Sequence, residues 1–360
     1  MGAIARRITR VITAVVCVAV SVGVSVATLH VPTREGGGER FNPARCRSDV
    51  IVTMFQANWK SVARECGEVL GPEGVGYVQV SPPQESVQGT QWWTSYQPVS
   101  YKLDSKEGTE AEFKNMVRQC KAAGVGVIAD TVINHTTGVD KTQGTGTAGS
   151  PYENKGYFPE AGYTPSDFHA PCSIWTYRDA ESVWNCQVSG LQDLDTSSPH
   201  VRDVLSDYFV KLLDYGVAGF RVDAVKHMPP EDVLAIKKLV AKKSGRSMND
   251  IWWTQEVIGD NAEAAEIQPR NYLKTGQVNE FQYAYRLKSL FSNSLAGGSQ
   301  RHSAEHHRQW QGQRIRDELG YRTQQHDAHL QGRRRLPASE RVHAGLPVWR
   351  PQRVLRIRIP

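Results

Sequence analysis

Beyond residue 29 the chain has no apolar run long enough to span a bilayer, which takes about 20 residues. Lysine is absent from residues 301–360, which hold 13 Arg and five acidic residues. Residues 1–300 show little charge imbalance, with 30 Lys+Arg against 32 Asp+Glu. The net charge of +6 therefore belongs to the C-terminal stretch. A near-neutral body offers nucleic acid no electrostatic footing, so no nucleic-acid partner is expected for it. Cysteine is sparse, with six in 360 residues. Cys17 falls in the N-terminal apolar stretch, which leaves Cys46, Cys66, Cys120, Cys172 and Cys186. Five is odd, so at least one is unpaired or paired between chains, and spacing alone does not give the connectivity.

At the N-terminus, Arg6, Arg7 and Arg10 precede an apolar stretch from Val11 to Leu29. A basic segment followed by an apolar one reads as a secretory signal, with cleavage expected near Ala27. The apolar part is somewhat long, which leaves a retained anchor as the alternative. Residues 1–28 are thus read as a signal peptide and 29–47 as a polar, Gly-rich linker. A secreted protein with no membrane contact after cleavage is expected, and export permits disulfides.

From residue 48 onward strand and helix patterns alternate. Val50 to Phe55 and Val125 to Asp130 are apolar runs suited to strands buried on both faces. Val75 to Val80, Val217 to Val222, Ile251 to Val257 and Val278 to Phe281 are further strand candidates. Helices are expected from Trp59 to Leu70 and after Pro230. Phe113, Met116, Val117 and Cys120 recur at helical spacing, as do Val201, Val204, Leu205, Tyr208, Leu212 and Leu213. Residues 136–192 break the rhythm. They are rich in Gly, Thr, Pro and aromatics without helical period, and about 57 residues is too long for a simple loop. A small inserted subdomain is expected there. Alternating strands and helices imply a parallel sheet, and charged strand ends favour a barrel.

The segment Gly219 to Met228, GFRVDAVKHM, carries most of the chemistry. An apolar strand ends there in Arg221, Asp223, Lys226 and His227. In a (β/α)8 barrel, strand ends are where catalytic groups sit. A carboxylate beside a guanidinium stays ionised, so Asp223 is expected as an ionised nucleophile. Asp130 and Glu256 end two more strand candidates. Glu256 follows Trp252 and Trp253, and an apolar setting would keep it protonated as a general acid. The plain alternative for each is a charged strand end or a surface ion pair. Trp92, Trp93 and Tyr96 lie in a polar loop, either stacking on sugar rings or packing the loop. Asn134 with Asp193 and the backbone near His227 could surround one cation, and oxygen donors favour calcium. His135 follows Asn134 directly; the alternative there is a loop Asn and a hydrogen-bonded His.

Together these pieces resemble the α-amylase family of retaining glycoside hydrolases, most nearly the animal-type enzymes and their secreted bacterial relatives. The matching strings are VQVSPPQE, WWTSYQPVSYKL, DTVINH, GLQDLDT, GFRVDAVKH and WWTQEVIG. They cover residues 48–291 in the family's order and spacing. The resemblance implies a (β/α)8 TIM barrel with a B domain after strand three: barrel segments 48–135 and 193–291, and B domain 136–192. It implies endo-hydrolysis of α-1,4-glucosidic bonds in starch-type polysaccharides, with Asp223 as nucleophile and Glu256 as acid/base. Asp130 would organise the site, and His135 and Arg221 would contact the cleaved sugar or orient the nucleophile. Trp92, Trp93, Tyr96 and Gln97 would line the glycone side; Lys226 and His227 would line the leaving-group side. Asn134, Asp193 and the carbonyl of His227 match the family's structural calcium site. The implied disulfides are Cys66–Cys120 and Cys172–Cys186, with Cys46 left over. Close relatives also bind chloride at Arg221, but the other expected ligands are not found in this sequence. An α-glucan partner and a monomer are expected.

After about residue 291 the family text stops. The family's third catalytic Asp, in an Asn-His-Asp or Asn-Trp-Asp motif, is missing. One permitted back-translation of Arg316 to Thr323, shifted by one base, spells Val-Thr-Asn-Trp-Asp-Thr-Glu-Arg. The same shift turns Gln331-Gly332-Arg333 into Lys-Asp-Gly, expected a short way downstream. Residues 292–360 are therefore read as an out-of-frame tail, from a one-base shift between about codons 291 and 310. The barrel as written would lack strands seven and eight and the C-terminal β domain, leaving unpaired edges and weak or no hydrolysis. The rival readings are a non-catalytic glucan-binding pseudoenzyme and a related α-glucan transglycosylase.

Overall fold

The computed structural model describes residues 48–138, 143–153, 155–295 and 353–356. The expected signal peptide, the linker, Cys46 and most of the C-terminal tail lie outside them. Strand β1 is Val50–Met54, β2 Tyr77–Val80, β3 Gly126–Thr131, β8 Gly219–Val222, β9 Trp252–Gln255 and β10 Gln277–Val278. With β11, Arg353–Arg356, they form one parallel sheet in the order β10-β9-β8-β3-β2-β1-β11. The sheet thus has a strand from the tail beside β1, where the sequence reading expected no contribution. The strand expected over Val278 to Phe281 is shorter and earlier, because residues from Gln282 onward turn into a helix.

Helices connect the strands, and their ends follow from local chemistry. Helix α1, Trp59–Glu65, starts where the Asn58 side chain accepts the Ser61 N–H at 2.9 Å. It runs on through a wider turn, Cys66–Leu70. Helix α2, Glu110–Ala122, opens with a reciprocal cap between Thr109 and Glu112. All four of its predicted core residues, Phe113, Met116, Val117 and Cys120, are buried. The Cys66–Cys120 disulfide ties α1 to α2. Helix α4, Pro199–Asp214, and helix α5, Pro230–Ser244, both begin with proline, whose missing N–H costs nothing there. Gly245, with φ 64°, ends α5. Val204 is only half-buried, unlike its neighbours Val201 and Leu205. Helix α6 is Gln282–Leu295.

The helices pack on the sheet through aromatic rings. Phe209 of α4 stacks on Trp253 of β9 at 4.7 Å and meets Phe220 of β8 edge-on at 4.8 Å. Gly219 must be glycine: a Cβ there would sit 2.4 Å from Cε3 of Trp252.

Between β3 and β8 the chain leaves the sheet. Strands β4, His135–Gly138, and β7, Leu191–Asp193, form one antiparallel ribbon. Strands β5, Gln143–Thr145, and β6, Pro151–Glu153, form another. A six-residue helix α3, Ala180–Asn185, lies in this stretch, where the sequence showed no helical period. Fewer than two turns leave no periodic signature. The Cys172–Cys186 disulfide brackets it. No helix among the described residues is long and apolar enough to cross a membrane.

Candidate active site

Parallel pairing brings three strand ends level. Asp130 of β3 lies opposite Arg221 of β8, which lies opposite Thr254 of β9. Side chains two apart share a face. Arg221 and Asp223 therefore lie on one face, and Thr254 and Glu256 continue it on the next strand. One guanidinium gathers all three carboxylates. Arg221 Nη1 donates to Asp130 at 2.8 and 3.0 Å and to Asp223 at 2.6 Å. Its Nη2 reaches Glu256 Oε1 at 2.9 Å. Tyr96 donates its hydroxyl to Asp130 at 2.8 Å.

This geometry corrects two expectations. Asp223 was expected ionised beside Arg221. Burial is the larger influence and pushes its pKa up to about 8, Arg221 pulling down while Glu256 and Asp130 push up. Three carboxylates share one cation, so full ionisation would leave surplus negative charge out of water. Asp130 is raised for the same first reason, its burial. Glu256 was expected in an apolar pocket made by Trp252 and Trp253. Alternation removes Trp253, and separation along the strand removes Trp252. Trp253 turns to the helix layer, and Trp252 stacks on Tyr77 at 6.2 Å. Glu256 meets Arg221 and the Ala224 N–H, which donates to its Oε2 at 3.0 Å.

Ala224 aims that N–H from a left-handed conformation, φ 52° and ψ 30°, unusual for a residue with a Cβ. Sequence reasoning missed it, since nothing in an alanine announces a positive φ. It also missed Phe55, whose ring lies 5.8 Å from Trp92 and 6.4 Å from Tyr96. Trp92 and Trp93 are about half exposed, at 54% and 48%. They stand edge to face at 6.0 Å. Gln97 is placed differently from its expected sugar-lining role: it is buried and accepts the Gly138 N–H at 2.9 Å.

His135 is buried between the carbonyl of Tyr96 at 3.0 Å and Asn134 Oδ1 at 3.1 Å. Burial lowers its pKa to about 4, and does the same for His227. Both are neutral at pH 7. Lys226 Nζ pairs with Glu263 at 2.6 Å and lies over the Tyr177 ring at 5.2 Å. Tyr177 in turn meets His227 edge-on at 5.9 Å. Tyr177 and Glu263 were not anticipated; a tyrosine in a cysteine-bracketed loop was the only available hint.

Asn134, Asp193 and His227 do come together. Asn134 Nδ2 donates to Asp193 Oδ1 and to the carbonyl of His227, each at 3.1 Å. Turning the amide over would aim three oxygens at one point, an all-oxygen donor set of the kind calcium takes. His169 holds the other oxygen of Asp193 at 2.7 Å. Among the described residues no group of three or more His, Cys, Asp and Glu side chains is placed to hold a metal.

The family model for the alpha-amylase catalytic domain matches residues 75–326. The match runs past residue 291, where the sequence reading ended the resemblance. The alpha-amylase of Streptomyces violaceus is 46% identical over 242 residues, 67% of this chain and 40% of that protein. That of Aeromonas hydrophila is 43% identical, over 71% of this chain and 55% of that protein. The chain spans about half the length of the curated relatives it matches. Among solved structures, alpha-amylase I of Eisenia fetida superimposes with a TM-score of 0.64 at 36% identity, covering 71% of this chain and 54% of that one. A point mutant of the same enzyme, solved with maltohexaose, gives 0.61 at 37% identity, over 68% of this chain and 51% of that one. With its strand-end carboxylates gathered on one arginine, and with the family match covering well over half its length, the chain belongs to the alpha-amylase catalytic-domain family.

Proposed function

We propose that the site hydrolyses internal α-1,4-glucosidic bonds of starch-type glucans with retention. The observation that carries this reading is the Arg221 fork, which holds Asp223 on one nitrogen and Glu256 on the other. Retaining hydrolysis needs two carboxyl groups close together, one attacking the anomeric carbon and one protonating the leaving oxygen. Asp223 is the nucleophile and Glu256 the acid/base. Arg221 and the Ala224 N–H fix their orientation, while Asp130 and neutral His135 organise the sugar at the bond. Phe55, Trp92, Trp93 and Tyr96 face the glycone side; Lys226, His227, Tyr177 and Glu263 face the leaving group.

Calcium, where bound, would be held by Asn134, Asp193 and the His227 carbonyl. It would tie the segments after β3, around β7 and after β8 together, stabilising the site without entering the chemistry. The excursion between β3 and β8 is read as the family's B domain. The two disulfides fit an oxidising compartment, and with the basic-then-apolar N-terminus we assign the protein to secretion.

We also propose that the tail is read one base out of frame from between about codons 291 and 310. Support comes from the flip to an Arg-rich, Lys-free composition and from the two family strings recovered by one shift. Resequencing genomic DNA over codons 285–335 tests it: an extra or missing base restores the third Asp, and recovering no family motif refutes it.

The chemistry is tested by trapping. A fluorinated glucosyl fluoride, incubated with the chain and digested, should leave its sugar on the Asp223 peptide. Labelling elsewhere, or equal labelling of Asp223→Asn, would refute the assignment. Glucan binding without any labelling would favour the non-catalytic reading.

A further inference from the structure

Trp175 is the most exposed large apolar side chain among the described residues, at 73%. Hydrophobic residues scattered singly on a surface are ordinary, and what sets this one apart is the fixed backbone that carries it. The backbone N–H of Trp175 donates to the Ser182 hydroxyl at 3.2 Å, and Ser182 is buried. The loop that carries it is closed by the Cys172–Cys186 disulfide, with a sequence separation of 14. Two residues on, the Tyr177 carbonyl accepts the Ala264 N–H at 2.8 Å. That bond pins the loop to the segment that follows Glu256. Backbone reach keeps the Cα atoms of Trp175 and Tyr177 within about 7 Å of each other.

We propose that Trp175 extends the leaving-group side by a further sugar-stacking position, taking glucose units of an α-1,4-glucan beyond those at Tyr177 and Lys226. The proposal rests on the glucan reading of the site. Sugar rings present apolar C–H faces, and a flat, exposed, preorganised indole matches them at little ordering cost. The occupant is the continuing glucan chain, because Tyr177 already ties this loop to Lys226 and His227 through ring contacts. Trp175 lies two residues from Tyr177 on the same pinned loop, within reach of a chain that continues past that cluster.

The test measures affinity of the full chain for maltotriose and maltoheptaose by titration calorimetry, in the parent, Trp175→Ala, Trp175→Phe and Trp92→Ala. Melting curves confirm that each variant folds. Trp175→Ala should weaken maltoheptaose about two- to tenfold and leave maltotriose unchanged, since one aromatic contact is worth that much. Trp175→Phe should keep most of the affinity. Parent-like maltoheptaose binding by Trp175→Ala, while Trp92→Ala loses both sugars, overturns the proposal and leaves the glucan site standing. Equal loss of both sugars in Trp175→Ala also overturns it. If the parent binds neither sugar, the glucan reading falls and the proposal with it.

Discussion

Replacing Asp223 by asparagine should make the fold more stable near neutral pH while removing the proposed nucleophile. The folded-state pKa of Asp223 is raised from an ordinary 3.8 to about 8, mainly by burial. A raised carboxyl binds its proton more tightly in the folded state. Its contribution to stability is therefore fully present below pH 3.8 and is lost as pH rises toward 8. At about 1.4 kcal/mol per pH unit, the loss reaches about 4 kcal/mol at pH 7 as an upper bound. Asparagine has no charge to bury. It forfeits the charge-assisted bond from Arg221, which gives back about 1.5–3 kcal/mol. Arg221 keeps Asp130 and Glu256 as partners, so its own charge stays compensated. The net gain is about 1–2 kcal/mol at pH 7, or about 2–8 °C in Tm for a domain of this size. Thermal melts of parent and variant from pH 4 to pH 8 measure it. The gap should shrink toward zero or change sign near pH 4. A variant no more stable than the parent at pH 8, or a margin as large at pH 4 as at pH 8, would refute the reasoning.

Two further outcomes follow from the same structure. Replacing Cys66 and Cys120 by alanine opens a loop spanning 54 residues. Loop entropy puts the cost at about 4 kcal/mol, read as a lower urea midpoint; an unchanged midpoint would mean the unfolded chain is already constrained there. Removing calcium with a chelator should lower the parent's stability by about 2–3 kcal/mol relative to a calcium concentration near 100 times Kd. Asn134→Ala should melt at the same temperature with and without the metal, and a full calcium response in that variant would move the site elsewhere.

The strands were legible because their apolar runs are dense. All six residues of β3 are buried, as a strand covered on both faces requires. The face of α2 was equally plain, since helical spacing picks out residues that must share one side. What the sequence could not carry was register. That Asp130 lies opposite Arg221 depends on which residues of β3 and β8 pair, and no local pattern sets that. The error over Glu256 has the same root. Trp252 and Trp253 are neighbours in sequence but point to opposite faces, and neither turns its ring toward a carboxyl three or four positions on. Ala224 shows the complementary limit: tertiary packing imposes a positive φ that alanine does not prefer, so propensity argues against it. The short helix Ala180–Asn185 and the two-residue strand Gln277–Val278 are too brief to show a period.

The charge count of the cluster links its strain to the proposed chemistry. Three carboxylates around one guanidinium, all ionised, would leave two uncompensated charges mostly out of water. Uptake of one proton halves that surplus, which is why burial raises Asp223 and Asp130 together. A retaining hydrolase needs this condition: one carboxyl protonated to donate, another ionised to attack, and residual negative charge to meet a cation-like transition state. The proton need not rest on one oxygen, because coupled groups titrate as a set. What decides where it goes is the local donor supply. Asp130 receives Arg221 and Tyr96, and Glu256 receives Arg221 and the Ala224 N–H, whereas Asp223 receives a single nitrogen of Arg221. Asp223 therefore has the fewest donors to hold its charge, in line with its raised pKa. In the proposed mechanism Asp223 must give up its proton before it attacks a sugar at the bond. In the same reading the left-handed turn at Ala224 acts on the acid/base by aiming its N–H at Glu256 Oε2. The leaving oxygen then approaches a carboxyl whose orientation that bond and Arg221 already fix.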